Sequence, residues 1–388
     1  MASRPTPVVH VITKLELGGA QQNTLHTVEH LDRTRFAPHL VCGTEGMLDD
    51  EARALKDVGL TFLPELVRPI HPPKDLLATW RLAALLRPLV ASGPVIVHTH
   101  SSKAGIVGRA AARLAGAGPV VHSIHGFGHG AISNAALRWL TLATERLMAR
   151  CTDAFIAVSE CNRREGDALS LLGGRPCEII RSGIDLDDFA RADGLRAQVR
   201  QSLGYADGVP VVGMIACLKP QKAPLDFVEL VRLVSERVPT ARFFVAGDGE
   251  LRSQVEARLL ALGLTDKVQL LGWRRDIPGL LGALDVAVLT SRWEGLPRVC
   301  PQAMAASRPM VATAVDGTPE AIVDGQNGFL VEPGQMEDAA ERVVQLLGDP
   351  DLRSRLGQRG QQDVASFGQE EMVVRQEALY ERLLLEKS

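Results

Sequence analysis

A single carboxylate, Glu294, stands between the apolar run Val286-Ala287-Val288-Leu289 and a segment that reads as a helix, within SRWEGLPRVCPQAMA (residues 291–305). In a loop at the end of a buried strand, such a group accepts hydrogen bonds from vicinal hydroxyls. Pro297 rigidifies the turn. Pro301 is tolerated if the helix begins near Arg298, where its missing N–H would be an orphan donor anyway. The backbone N–H groups of about 295–300, among them those of Gly295, Leu296, Arg298 and Val299, then face the cleft, where they suit an anion. Gln302, about one helical turn in, can both donate and accept. Phosphate at the N–H groups and hydroxyls at the side chains describe a sugar nucleotide. The alternative is a capped helix start with a solvated Glu294.

Three more loops could take part. Lys219 and Lys222 precede a helix in whose first turn Pro224 fits. They form a phosphate site or two solvated surface charges. Gly18 and Gly19 open the helix after Val8–Ile12. They let a backbone approach a ligand closely, or make a plain turn. Gly247-Asp248-Gly249-Glu250 is a third close-approach loop, or a tight connection with an N-cap.

These loops need strands to hold them. Short apolar runs alternate with helical patterns along the chain. The candidates are Val8–Ile12, His39–Cys42, Val95–His98, Val120–Ile124, Phe155–Val158, Glu178–Ile180, Val209–Ile215, Ala241–Ala246, Val268–Leu271, Val286–Leu289, Met310–Thr313 and Phe329–Val331. Continuous β-branched runs suit parallel strands buried on both faces, and the helices between them imply doubly wound sheets. Residues 8–30 and 211–233 each run strand, special loop, helix. Two similar Rossmann-like domains follow, divided near 183–208. We expect an N-terminal domain over 1–188, a C-terminal domain over 189–368, and a last helix from 369 that could pack on either.

The 388 residues exceed one typical core. With 46% hydrophobic and 23% charged residues and a net charge of -3, nothing marks a nucleic-acid binder. The opening MASRPTPVVH lacks the apolar core of a signal peptide, and no run reaches membrane-span length. The six cysteines are scattered without a CxxC pair, which reads as reduced thiols in a cytosolic protein.

The chain resembles the retaining glycosyltransferases of family 4, whose GT-B fold has two facing Rossmann-like domains and a deep cleft between them. The resemblance rests on LELGGAQ, THSSKAGIVGR (99–109), SIHGF (123–127), VSE (158–160), RSGIDLDDF (181–189), VAGDGELR and LLGWRRDIPGLL. Its most specific piece is SRWEGLPRVCPQAMAASRPMVATAVDGTPEAIVDGQNGFLVEPG (291–334). It implies a hexosyltransferase that takes a sugar from a nucleotide-sugar donor to a glycan or lipid-linked acceptor in surface polysaccharide or glycoconjugate synthesis. By the same resemblance Gly18 and Gly19 lie near the donor phosphates and Lys222 binds the diphosphate. Glu294 contacts hydroxyls of the transferred sugar, and His125 sits beside the reacting sugar. The segment 272–274, with Trp273 and Arg274, borders the nucleobase, and Glu320 lies near the donor. Gly247 belongs to the nucleotide side. His125 could instead be a buried hydrogen-bonded histidine, and Glu320 a helix N-terminal charge.

Two positions depart from the family pattern. Gln302 stands where a second glutamate usually grips the ribose, and Cys217 where an arginine often precedes the lysine. An amide still bonds ribose hydroxyls, without charge assistance, and Lys219, in the same loop, could supply the missing charge. The design implies no metal and no cofactor. Asp185-Leu186-Asp187 spells a metal-binding DxD, yet turn and N-cap chemistry suffices there. A peripheral contact with the inner face of the plasma membrane is implied for a cytoplasmic enzyme of this kind. Ala136–Arg150, with Trp139, Arg138, Arg146 and Arg150, could touch lipid or pack on its own sheet. The competing readings are a GT-B sugar-nucleotide epimerase and a catalytically weak sugar-nucleotide-binding protein.

Overall fold

Valine- and isoleucine-rich runs become the buried strands of two parallel sheets. A computed structural model describes residues 4–128 and 134–387. The first sheet contains β1 (Thr6–Ile12), β2 (Phe36–Cys42), β3 (Gly59–Phe62), β4 (Ile96–His100), β5 (Val120–Ile124), β6 (Ala154–Ala157) and β7 (Cys177–Ile179). Their order is β3-β2-β1-β4-β5-β6-β7. The second contains β8 (Val211–Ile215), β9 (Arg242–Ala246), β10 (Val268–Leu270), β11 (Val286–Leu289), β12 (Met310–Thr313) and β13 (Gly328–Val331), in the order β10-β9-β8-β11-β12-β13. Each sheet is built outward from its first strand in both directions. Each therefore has a point, between β1 and β4 or between β8 and β11, where successive crossovers diverge.

Twelve of these strands match the apolar runs; β3 does not. Its four residues lie at the sheet edge and are half-buried or exposed, so Gly59-Leu60-Thr61-Phe62 lacks the continuous apolar character of a central strand. Gly59 is needed there, because a Cβ would meet the His39 ring at 2.2 Å.

The chain forms two units, one up to Gly183 with Gln369 onward, the other Ile184–Gly368. The break comes five residues before the 188/189 division expected from sequence. The helix Leu186–Ala190, capped by the Asp185 side chain on Asp188 N at 2.9 Å, packs on the helix Val299–Ala305 of the second unit. The last helix, Gln369–Lys387, buries Met372, Val373, Leu379, Tyr380 and Leu383 with Val8, Phe36, Ile96 and Ile156, all from the first unit. Such a face, about 1.5–3 kcal/mol per buried large side chain, ties the chain's end firmly to that unit.

In the second unit Val212, Met214, Phe227, Val231, Phe243, Val245, Val286 and Val288 form the core under the sheet. At the amino ends of β8 and β11, Asp285 accepts from Arg196 at 2.6 Å, Arg200 at 2.8 Å and Val211 N at 2.8 Å. Burial opposes charge on this carboxyl, but the backbone N–H and the two guanidinium groups hold its pKa below the usual value. All six cysteines are free thiols; Cys42 and Cys300 are buried and the other four are partly exposed.

Candidate active site

The loops after β8 and β11 flank the second sheet's switch point, at the carboxyl edge where ligands of open α/β sheets bind. Lys222 comes from the first loop and Glu294 from the second, and they meet. Lys222 Nζ bonds Glu294 Oε1, with the two side chains only 16% and 5% exposed. Neither is a solvated surface charge. Burial works against the Lys222 ammonium, but the Glu294 charge and hydrogen bond outweigh it and raise the pKa.

Glu294 is held from several sides. Ser291 Oγ donates to Oε1 at 2.5 Å, Gln221 Nε2 reaches Oε2 at 3.5 Å, and Glu294 N donates to Asp316 Oδ2 at 2.6 Å. Gln221 also joins the loops through its backbone, accepting from Arg292 N at 2.7 Å, and through its amide, donating to Trp293 O at 3.0 Å. Thr290 Oγ1 bonds the carbonyls of Lys222 and Ala223, and Thr313 Oγ1 that of Ser291. Ser291, Gln221 and Asp316 were not singled out from sequence. Ala223 and Asp316 hold φ of 44° and 43°, left-handed values that cost a side-chain-bearing residue energy and tend to persist where function requires them.

The other expected residues gather along the same edge. Lys219 begins the 3-10 turn Pro220–Lys222, and its side chain has no ion-pair partner among the described residues. Gly295, Leu296 and Val299 are buried and Arg298 is partly so; burial lowers the Arg298 pKa to about 10. The helix Val299–Ala305 starts without a side-chain cap. Gln302 is partly exposed, and its amide makes no hydrogen bond among the described residues. Gly247 N donates to Gly272 O at 2.8 Å, which joins the 272–274 segment to the loop after β9. Trp273 is exposed, and Arg274 pairs with Asp276.

The structure bears on two further readings. At Gly247 a Cβ would lie 2.0 Å from the Ala216 carbonyl oxygen, so the protein's own backbone requires the glycine whatever the loop binds. Glu320 ends the 3-10 turn Thr318–Glu320 and starts no α-helix, so it does not serve a helix dipole.

The first unit has its own switch point. Thr13 Oγ1, just past β1, meets Ser101 Oγ, just past β4, at 2.9 Å, and Ser101 has φ 65°. Gly18 is the N-cap and Gly19 the first residue of the helix Gly19–His30. Beneath these loops lies a histidine stack absent from our sequence expectations. His10 on β1 pairs in register with His98 on β4, and His98 and His100 share a face. His10 Nδ1 lies 3.0 Å from His100 Nε2, and His100 Nδ1 lies 3.2 Å from His125 Nε2. His98 bonds Tyr380 Oη at 2.5 Å and Ser123 Oγ at 2.7 Å. Ring nitrogens of His10, His98 and His100 fall within 4.8 Å of one another. Both of those on His98 and His100, and Nδ1 of His10, are already engaged in hydrogen bonds. Burial alone lowers His10 to about 3 and His125 to about 4, and it is the largest cause for His98 and His100, both pushed well below the usual value.

His125 is thus a hydrogen-bonded histidine that also borders open space. With Ala20, Ser101, His122, Phe127 and Glu145 it lines a largely apolar pocket of about 410 Å³. Glu145 pairs with the fully buried Arg109 at 2.5 Å.

Comparison with known proteins fits this geometry. Residues 17–188 match the model described as Glycosyltransferase Family 4, and residues 196–363 match Glycosyl transferases group 1. An Escherichia coli UDP-Gal:alpha-D-GlcNAc-diphosphoundecaprenol alpha-1,3-galactosyltransferase is 32% identical over 349 residues, 88% of each chain. The chain belongs to the family 4 glycosyltransferases. It is an enzyme with the GT-B fold of that family. Anabaena HepE, solved with UDP and glucose, superposes with a TM-score of 0.81 at 22% identity, over 97% of this chain and 100% of that one. Sucrose-phosphate synthase from Thermosynechococcus elongatus gives 0.81 at 18% identity, over 98% and 100%. No helix among the described residues is long and apolar enough to cross a membrane.

Proposed function

We propose that this glycosyltransferase moves a hexose, with retention, from a uridine diphosphate sugar to a lipid-linked or glycan acceptor in polysaccharide or glycoconjugate synthesis. The observation that carries the reading is the buried Lys222–Glu294 pair at the second sheet's switch point. Lys222, with Lys219 nearby, meets the diphosphate; Glu294 takes sugar hydroxyls; Gln302 bonds the ribose; Trp273 and Arg274 border the base. His125 meets the reacting sugar. The donor and acceptor classes draw support from the names of the relatives, which include a UDP-sugar and a diphosphoundecaprenol.

Glu294 is a poor nucleophile, because Lys222, Ser291 and Gln221 already occupy its oxygens. The acceptor hydroxyl instead attacks the anomeric carbon on the face the diphosphate leaves. The C–O bond to the diphosphate breaks, and the departing oxygen takes the hydroxyl proton. Catalysis is then positioning and stabilisation of the leaving charge, with Lys222 as its cation. No metal is needed in this scheme.

The lipid side is supported by the helix Ala135–Ala149. Of its residues only Ala149 is buried, while Leu137, Trp139, Leu140 and Leu147 are exposed beside Arg138 and Arg150. The helix Ser102–Ala115 touches it on one side and Pro72–Val90, with exposed Leu76, Leu77 and Trp80, on the other. Apolar side chains among arginines suit an anionic membrane surface, which would keep the enzyme at the cytoplasmic face.

The test is transfer from UDP-hexoses to a diphospho-lipid-linked sugar in chelator, with the product anomer read by NMR. Retained configuration is expected. An inverted product would overturn the mechanism, and dependence on added metal would overturn the metal-free scheme.

A further inference from the structure

The histidines behind His125 do not enter that scheme, yet their hydrogen bonds decide how it can act. We infer that His10 and His100 hold His125 in its Nδ1–H tautomer, so that it faces the pocket as a neutral hydrogen-bond donor and not as a base. The ligand it meets rests on the proposed function; the tautomer does not.

The argument is one of counting hydrogens. The row runs from His10 Nδ1 to His100 Nε2 at 3.0 Å, and from His100 Nδ1 to His125 Nε2 at 3.2 Å. A neutral imidazole carries one N–H and one bare nitrogen. His100 sits in the middle, so if it donates to His125 it must accept from His10, and the reverse holds too. Only two arrangements satisfy both contacts. In one, His10 Nδ1–H donates to His100, His100 Nδ1–H donates to His125 Nε2, and His125 keeps its proton on Nδ1. In the other every bond reverses, and the spare N–H ends on His10 Nε2.

The two ends of the row decide between them. His10 is fully buried, and its Nε2 has no hydrogen-bond partner among the described residues. An N–H there would be a buried orphan donor, rarer than an under-used acceptor and costly. The other end opens on the pocket that His125 lines, where an N–H can meet an oxygen. The first arrangement therefore wins. His10 and His100 lie nearly parallel, with ring centroids 5.3 Å apart and planes 11° apart, and His98 packs against both.

His125 then gives a hydrogen bond to a sugar or phosphate oxygen and leaves the acceptor's proton to the departing diphosphate. His10 and His100 are positioning residues, since they act only through His125.

The experiment is two-bond nitrogen–proton NMR of the whole chain labelled with ¹⁵N-histidine. His125 is assigned by comparison with His125→Asn. A protonated Nδ1 and a bare Nε2 on His125 are expected; a protonated Nε2 would overturn the inference. His10→Asn keeps an N–H where Nδ1–H stands and should preserve the His125 signature. His10→Leu removes it and should let the second tautomer appear. Its kcat should drop on the order of 10- to 100-fold, as mispositioning does, with the donor KM little changed and His10→Asn restoring much of the rate. An unchanged His125 signature in His10→Leu would also refute the assignment. If His10→Leu does not fold, the wild-type spectrum and His10→Asn decide alone. A wild type with the expected tautomer but no transfer from any nucleotide sugar would leave this inference standing and remove the proposed function.

Discussion

At the second sheet's switch point Lys222 and Glu294 lie side by side as an ion pair, and the carboxylate raises the Lys222 pKa. At the first sheet's, His10, His98 and His100 are more deeply buried, with no carboxylate bonded to them among the described residues, and burial strips their charge. The two sheets share a topology and differ in electrostatics. A paired ion keeps a fixed charge ready for a charged ligand, whereas a stack of neutral rings keeps only directed hydrogen bonds. On the proposed function, the second unit would grip the diphosphate and the first would orient a neutral sugar.

The largest effect should come from splitting the ion pair. Lys222→Met leaves Glu294 buried without its cation and should cost about 3–5 kcal/mol of stability in the second unit. Lys222→Met with Glu294→Gln should recover most of that loss. Denaturant unfolding followed by hydrogen exchange checks it. Simple additivity of the two single changes would show that the pair is not coupled.

Acid and alkali should then separate the units. The histidines have folded pKa values below the unfolded one near 6.5. The unfolded chain therefore binds more protons, and stability falls as pH drops from 6.5 toward about 4. His125 alone contributes on the order of 3 kcal/mol across that window. Lys222 has the opposite sign: its raised pKa stabilises below the ordinary lysine value of 10.5, and the contribution is lost as pH rises through the raised one. Exchange protection should fail first in the first unit under acid. Loss in the second unit first would break the comparison.

How much of this the sequence reveals depends on distance along the chain. Continuous apolar runs marked twelve strands because central parallel strands are buried on both faces. The edge strand β3 carries no such signature. Glu294 and Lys222 were each legible as residues in strand-to-helix loops, but 72 positions separate them, and only the strand order makes them neighbours. The histidine stack was hidden for the same reason. Alternation puts His98 and His100 on one face, yet the register that sets His10 opposite His98 comes from the fold. Asp316 and Ser291 act on Glu294 through a backbone N–H and a hydroxyl, contacts with no motif of their own.

A smaller effect sharpens the donor side. Gln302→Leu should weaken donor binding by about 0.5–1.5 kcal/mol, the net worth of a neutral hydrogen bond. Gln302→Glu should retain or tighten it. Equal affinities across wild type and both variants would take Gln302 out of the site.

The most direct test of the central claim is calorimetric titration of the chain with UDP-, GDP- and ADP-sugars beside Lys222→Ala. The account predicts binding selective for the uridine donor and a loss of about 1.5–3 kcal/mol in the variant, the range for a hydrogen bond to a charged group. Equal affinity of wild type and Lys222→Ala would contradict it.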